Sequence, residues 1–273
     1  MSNATDQPAI DTAESARPLL ANPDGGYHVL PGGAAYCTGI IPDDGFEVVR
    51  VQLDPWLPLD EGYNFIEEHL AGADRPIKAF CGIEMRLPAP LSRDRWSEFN
   101  DPYLARLRSW GLTYGDLSGV CRSNIAVAVD PPARASVCAF SYVRPAAAAG
   151  APTFCLSGTA DIDPQGNVIA DGDTSPAAMT QRARYTIDVI GTSLEQLGLA
   201  WRDANQIAIF HVHDIPDLWG PALLGSVGEA LRHGVLVYRA RPPIAGGEVE
   251  LEARGARETV IVATRAREAT SPS

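Results

Sequence analysis

Arg122-Ser123-Asn124-Ile125-Ala126-Val127 returns later in the chain as Arg232-His233-Gly234-Val235-Leu236-Val237, an arginine and two small or polar residues opening an apolar run. A second pair precedes it in the same order: Tyr36-Cys37-Thr38-Gly39, then Phe154-Cys155-Leu156-Ser157-Gly158. Two echoes in one order indicate an internal repeat, which has to be read before any single element. Between the copies lies Arg144-Pro145-Ala146-Ala147-Ala148-Ala149-Gly150-Ala151-Pro152, small and uncharged after the arginine. Such a stretch reads as a linker, here placed at 145–152.

Working outward, each half shows the same succession of elements. In the first, strands are expected at 35–41 and 46–53, then a helix over 60–72 with Tyr63, Ile66, His69 and Leu70 on one face. A strand at 77–87 puts Cys81, Ile83 and Met85 on one side. A helix at 94–110 carries Trp96, Phe99, Tyr103, Leu107 and Trp110, and strands at 120–129 and 135–143 flank Pro131-Pro132. In the second half a strand at 154–162 leads through Pro164-Gln165-Gly166 to a long helix, 176–197. Its stripe is Met179, Ala183, Ile187, Ile190, Leu194 and Leu197. A strand at 207–212, a helix at 216–231 and strands at 235–240 and 249–253 close the half, the last two flanking Pro242-Pro243. The expected fold is α+β: two tandem β-α-β-α-β-β domains, 26–144 and 153–267, with loose ends at 1–25 and 268–273.

Composition narrows the function. The 273 residues carry 22 Lys+Arg against 34 Asp+Glu, a formal net charge of −12. That balance argues against sequence-independent nucleic-acid binding, which needs phosphate-neutralising basic stripes. No apolar run reaches the roughly 18–20 residues of a membrane span, and the first residues lack the basic start and apolar core of a secretion signal. Cys37, Cys81, Cys121, Cys138 and Cys155 are odd in number without a CxxC pair, which fits a reducing cytoplasm better than a disulfide framework. No glycine-rich phosphate loop follows a strand, so no nucleotide cofactor is indicated. His211 and His213 would share one strand face, but spacing reveals no third or fourth ligand, so no metal is expected.

Candidate chemistry gathers on arginine, acid and hydroxyl. An arginine opening a strand offers a planar fork for a carboxylate, and Arg122 and Arg232 both stand so. Glu250 and Glu252 alternate with apolar residues and share one face; in a cleft with an arginine, one of them could position or deprotonate water. Ser157, before Gly158, offers a hydroxyl and backbone donors. With no Gly-x-Ser-x-Gly elbow, a serine nucleophile is not expected.

At these residues the second half resembles the RidA/YjgF family of small imine- and enamine-hydrolysing proteins. The similar stretches are Ser157-Gly158, Gln181 opening the long helix, Gly198 after it, His213-Asp214, the Arg232 run, and Val249-Glu250-Leu251-Glu252-Ala253. The first half is fainter, with Thr38-Gly39, Arg122 and Pro131 in matching places. The resemblance implies a chorismate-mutase-like fold assembled as a trimer, with clefts between subunits; two units per chain would make a pseudo-sixfold ring. It implies that Arg232 binds a substrate carboxylate, Glu250 orders the attacking water and Ser157 lines the pocket. Arg122 matches the arginine in the first half, where Val137 stands in place of the glutamate. Thr38, Cys155 and Arg241 are further candidates for substrate contact. The family's Pro-Ala before its arginine is missing, and Ala222 stands near its pocket asparagine, which suggests a different substrate.

The expectation is therefore a homotrimeric, cofactor-independent hydrolase that releases ammonia from a small anionic metabolite. Two linked halves also resemble chorismatases, at Ser157-Gly158-Thr159-Ala160, Gly172-Asp173 and Arg241-Pro242. That resemblance implies enol-ether cleavage with Glu250 as acid. A non-catalytic metabolite-binding protein is the third reading.

Overall fold

The computed structural model describes residues 18–264. Of the ends expected to be loose, 1–17 and 268–273 lie outside the described residues, while Leu20–Asn22 form the first strand. In chain order the first half contains β1 (Leu20–Asn22), β2 (Tyr27–Leu30), β3 (Gly39–Pro42), β4 (Phe46–Pro58), α1 (Leu59–Gly72), β5 (Phe80–Leu87) and α2 (Arg93–Ser109). It ends with the small hairpin β6 (Thr113–Tyr114) and β7 (Leu117–Ser118), then β8 (Cys121–Val127) and β9 (Ser136–Pro145). The second half contains β10 (Phe154–Leu156), β11 (Thr159–Ala160), α3 (Pro176–Gln196), β12 (Gln206–His211), β13 (Leu236–Arg241), β14 (Val249–Gly255) and β15 (Glu258–Ala263).

The two halves share a strand order. Ladders run β8-β5-β9-β4 in the first half and β13-β12-β14-β10 in the second, so third, second, fourth and first strands lie side by side in each. In both, the second and third strands are parallel and the other neighbours antiparallel. The two ladders join at β13 and β8, through Ala240 opposite Val127 and Arg241 opposite Ala126. The terminal strands cross over: β3 pairs with β10, carrying β1 and β2 to the second ladder, and β15 pairs with β4 of the first. Nothing in the local pattern announced β15 or its partner.

Helices cover the outer faces. Ser175 accepts from the Ala178 amide and Pro176 opens α3, a start in which cap and first-turn proline agree. Five of its six expected stripe residues are buried within the helix, and Leu197 is buried just beyond it. They pack on Val249, Leu251 and Ala253 of β14. α1 and α2 cover the other ladder with Tyr63, Ile66, Tyr103 and Leu107 against Val51, Ile83 and Phe140.

The sequence pattern misleads at two places. The stretch 216–231 is turns followed by 3₁₀ geometry over Leu224–His233, because Gly220, Pro221, Gly225 and Gly228 deny it a helix, Gly228 at φ 66°. In β5, irregular register beside Cys81 puts this thiol in a different core from Ile83 and Met85.

The inner faces of the two ladders face each other, so β14 has an apolar side toward α3 and a polar side toward the first half. The start of β14 is held by a buried ion pair. Arg182 Nη1 lies 2.6 Å from Asp161 Oδ2, and Asp161 accepts from the amides of Glu248 (3.0 Å) and Val249 (3.3 Å). Arg182 Nη2 also donates to the carbonyls of Ala170 and Asp173. Removing one partner strands a buried charge, at a cost of about 3–5 kcal/mol. Urea unfolding of Asp161→Ala is expected to show a loss of that order; a change under about 1 kcal/mol would show the clasp to be ornamental.

Candidate active site

The alternation of β14 sends Glu250, Glu252 and Arg254 to the inner face, all three buried. Opposite them stand Arg50 on β4, Glu84 and Arg86 on β5 and Ser123 on β8. Arg50 grips Glu84 through two bonds of 2.7 Å, and Arg254 bonds Glu84 and lies 2.9 Å from Glu252. Burial alone would raise the Glu84 pKa; Arg254 and Arg50 reverse this and hold it well below the usual carboxylate range.

Glu250 has the opposite environment. Burial, reinforced by the charge of Glu252, pushes its pKa well above the usual carboxylate range, with Arg86 and Arg122 opposing only in part. The strand break at Ser157-Gly158 gives this carboxyl its space: a methyl group on Gly158 would overlap Glu250 Oε1 and sit 3.4 Å from Ser123 Cβ. Here glycine is required by close approach, not by its backbone angles.

Ser157 fixes that break to the first half. Its hydroxyl donates to the Cys37 carbonyl (2.5 Å) and accepts from the Arg122 amide (2.9 Å). Its amide donates to the Thr38 carbonyl (3.1 Å), and the Gly158 amide to the Arg122 carbonyl (3.0 Å). Ser157 is thus a bracket between the halves rather than a free hydroxyl in a pocket.

Arg122 reaches to the other side of β8, toward α2. Its guanidinium lies 4.9 Å from the ring centres of both Trp96 and Tyr103 and 6.0 Å from that of Tyr36. Nη1 donates to Asn100 Oδ1 at 2.8 Å, and Asn124, its amide oxygen turned inward, accepts from Nε at 3.1 Å. Nη2 is buried without a partner, and so is Ser123 Oγ. The guanidinium is thus caged by aromatic rings and amide oxygens, which favour a cation, with one nitrogen left unpaired. Between Arg122, Ser123, Glu84, Cys155 and Arg254 is a cavity of about 10 Å³. That approaches the smallest space one water needs.

The remaining expected residues lie elsewhere or serve the frame. Arg232 has a 61% exposed side chain, 3.6 Å from Glu229, and its Nε donates to His233; its contacts do not reach Glu250. Arg232 lies at the end of a 3₁₀ segment, three residues short of β13, whereas Arg122 lies within β8, so the two arginine phrases occupy different registers. Thr38 Oγ1 bonds the Pro31 carbonyl. Cys155 is buried, its thiol raised by the Cys121 hydrogen bond and by burial, which leaves no thiolate. Arg241 pairs with Glu248 at 2.8 Å and approaches His213 Nε2 at 3.4 Å. His211 turns Nδ1 to the His213 carbonyl, so the two imidazoles do not converge. Asn100, Ser123, Tyr36 and the Glu84–Arg86 pair went unremarked. For the last there was a signal, two charges at alternate positions of an otherwise apolar strand.

Comparison with known proteins places the chain in a family. The family model of the 2-aminomuconate deaminase CnbZ matches residues 19–260. The chain belongs to that family. It is 35% identical over 245 residues to the 2-amino-5-chloromuconate deaminase of Comamonas testosteroni, covering 87% of this chain and 96% of that one. Among solved structures, a chorismatase aligns over 85% of this chain and 77% of its own at 12% identity and a TM-score of 0.46. The YjgF product of E. coli aligns over 38% and 80% at 24% identity and a TM-score of 0.25. The chain is thus a deaminase acting on a small carboxylate metabolite, as its sequence led us to expect. No helix among the described residues is long and apolar enough to cross a membrane.

The raised Glu250 pKa sets a sign for stability. The folded chain holds a proton that the unfolded chain releases near pH 4.3, so Glu250's contribution is favourable below that pH and erodes as pH rises toward the folded value. Glu250→Gln lacks this dependence. Its Tm relative to wild type is expected to rise steadily from pH 4 to pH 8 in thermal unfolding; a constant difference would mean that Glu250 titrates normally.

Proposed function

We propose that this deaminase acts on an unsaturated 2-amino dicarboxylate of the 2-aminomuconate type, in a single composite site to which the first half gives Arg122 and the second Gly158 and Glu250. The observation that carries the reading is the buried Glu250 carboxyl, its pKa raised, packed beside Gly158, whose amide is tied to the backbone of Arg122, a residue whose guanidinium on the α2 side of β8 leaves Nη2 without a partner. The relative in Comamonas testosteroni, named for a chlorinated aminomuconate, supports the substrate class.

The chemistry follows from what an enamine lacks. Its carbon–nitrogen bond is not yet electrophilic, so a proton must reach carbon before water can attack. Arg122 binds the carboxylate next to the amino-bearing carbon through Nη2, its Nη1 and Nε being held by Asn100 and Asn124. Glu250 gives its proton to the enamine carbon, and the resulting iminium is stabilised by the carboxylate left behind. That carboxylate takes a proton from water as the oxygen bonds to the iminium carbon, forming a carbinolamine. Glu250 then protonates the amine, the carbon–nitrogen bond breaks and the hydroxyl proton returns to Glu250. Enamine and water have become a 2-oxo acid and ammonia, with Glu250 again protonated. One group serves as acid and then as base because its resting form is neutral.

We read the two halves, 26–144 and 153–267, as tandem copies with exchanged terminal strands, on the support of their shared strand order. We extend the reading to a homotrimer in which the exposed apolar residues Leu236, Val237, Tyr238 and Ile261 are covered. Light scattering should then give three times 29.1 kDa.

The decisive assay follows ammonia release and loss of diene absorbance from freshly generated 2-aminomuconate. Glu250→Gln is expected to lower kcat by about 100-fold or more with a KM within a few-fold. Arg122→Lys should act chiefly on KM. For the wild type, kcat/KM should fall on the alkaline side as Glu250 loses its proton, and this limb should vanish in Glu250→Gln. A kcat for Glu250→Gln close to that of wild type would remove the mechanism. Pyruvate release from chorismate without ammonia release from aminomuconate would replace the reaction.

A further inference from the structure

A second opening lies away from Arg122. Where β8 meets β13 lies a groove of about 250 Å³, lined by Trp56, Arg86, Ile125, Val127, Phe210 and Tyr238 among others. One of its walls is next to the acid: Phe210 is the cross-strand partner of Glu250, so both side chains leave the same face of the second ladder. Phe210 and Tyr238 stack at 5.1 Å and form a flat apolar wall. The Arg86 guanidinium lies 5.4 Å from the centre of the Phe210 ring.

Arg86 is buried yet under-used. Its Nη1 donates to the Met85 carbonyl at 3.0 Å, while its nearest Glu84 oxygen, at 3.8 Å from Nη2, is beyond hydrogen-bond range. Glu84 is gripped more closely by Arg50 and Arg254, so Arg86 has only a long ion pair with it and, among the described residues, no hydrogen bond to a carboxylate. A flat apolar wall ending in a guanidinium suits a conjugated chain ending in a carboxylate.

We propose that this groove receives the distal, carboxylate-bearing end of the conjugated substrate, with Arg86 as its anion partner and specificity-determining residue. The inference rests on the deamination reading, which needs a second place for the second carboxylate.

The test separates groove from reaction by using unreactive ligands. trans,trans-Muconate and sorbate share one six-carbon diene, and sorbate has a methyl group in place of one carboxylate. Calorimetry and Trp56 fluorescence on the full chain are expected to show muconate bound at least about tenfold more tightly than sorbate, from one more charge-assisted contact. Arg86→Gln should bring muconate to the sorbate level and leave sorbate unchanged. Should that variant not fold, Val127→Trp, at a half-buried position of the groove wall, should exclude both dienes while acrylate still binds. Unchanged muconate affinity in Arg86→Gln or Val127→Trp, or no preference for muconate in the wild type, overturns the proposal. Loss of muconate binding in Arg86→Gln, with no aminomuconate turnover by the wild type, would keep the groove and reject the reaction. Equal KM for aminomuconate in wild type and Arg86→Gln would do the reverse.

Discussion

The structure depends on the Glu84 carboxylate, clamped by Arg50 from its own ladder and Arg254 from the other. Two sheets that meet face to face normally interdigitate apolar side chains. Here apolar contacts flank the seam, around Cys37, Cys121 and Cys155 on one side and Phe210 and Ala240 on the other, while charges occupy its middle. Desolvating such a layer is costly, and its ion pairs need not return more than well-packed hydrocarbon would. Their effect is on geometry: a bidentate guanidinium–carboxylate contact tolerates little sliding, so the ladders are held in one register. That register brings Gly158 of the second half under the edge of β8 and lets Ser157 bond its backbone.

Against that background Glu250 stands out by contrast. It is as deeply buried as Glu84, which stands on the opposite ladder, yet the two carboxyls are driven in opposite directions. Arginine hydrogen bonds hold Glu84 ionised. Glu250 faces a glycine, a serine carbon and a neighbouring acid, and burial keeps it protonated. Pairs of acids whose environments push their pKa values apart are a recurring mark of acid–base chemistry, and here one layer supplies both the fixed charge and the mobile proton.

The fold's order of elements was legible because periodicity and turn residues report local structure directly. The α3 stripe, the proline pairs between closing strands and the doubled succession of elements are all local signals. What crossed between halves was not: β3 leaving for the second ladder and β15 returning to the first are choices of partner, which alternation cannot encode. The site divides in the same way. Glu250 was legible as an acid in an apolar strand, and Ser157-Gly158 as an interruption. The repeat offered two arginines, and resemblance favoured Arg232, whose strand begins only after an exposed turn; Arg122 lies inside its strand, where neighbouring backbone forces its side chain into the α2 cage. Which arginine meets the acid is a question of tertiary register, and two similar phrases in one sequence leave it open.

The same register explains why the repeat yields one acid and not two. Val137, at the place matching the glutamate in the first half, faces α1 instead of the seam and fills the space left by Gly62. A carboxylate there would be buried among Tyr63, Ile83 and Phe140 with no cation to balance it, which the core would not bear. In the proposed reading the first half therefore keeps its arginine and serves as the wall against which the second half works. An anionic substrate entering between them would add negative charge to the seam, and that charge would push Glu250 further toward the protonated form that the proposed first step consumes. Binding and readiness for proton transfer are then two results of one electrostatic arrangement, set by which buried cations the fold has paired and which it has left free.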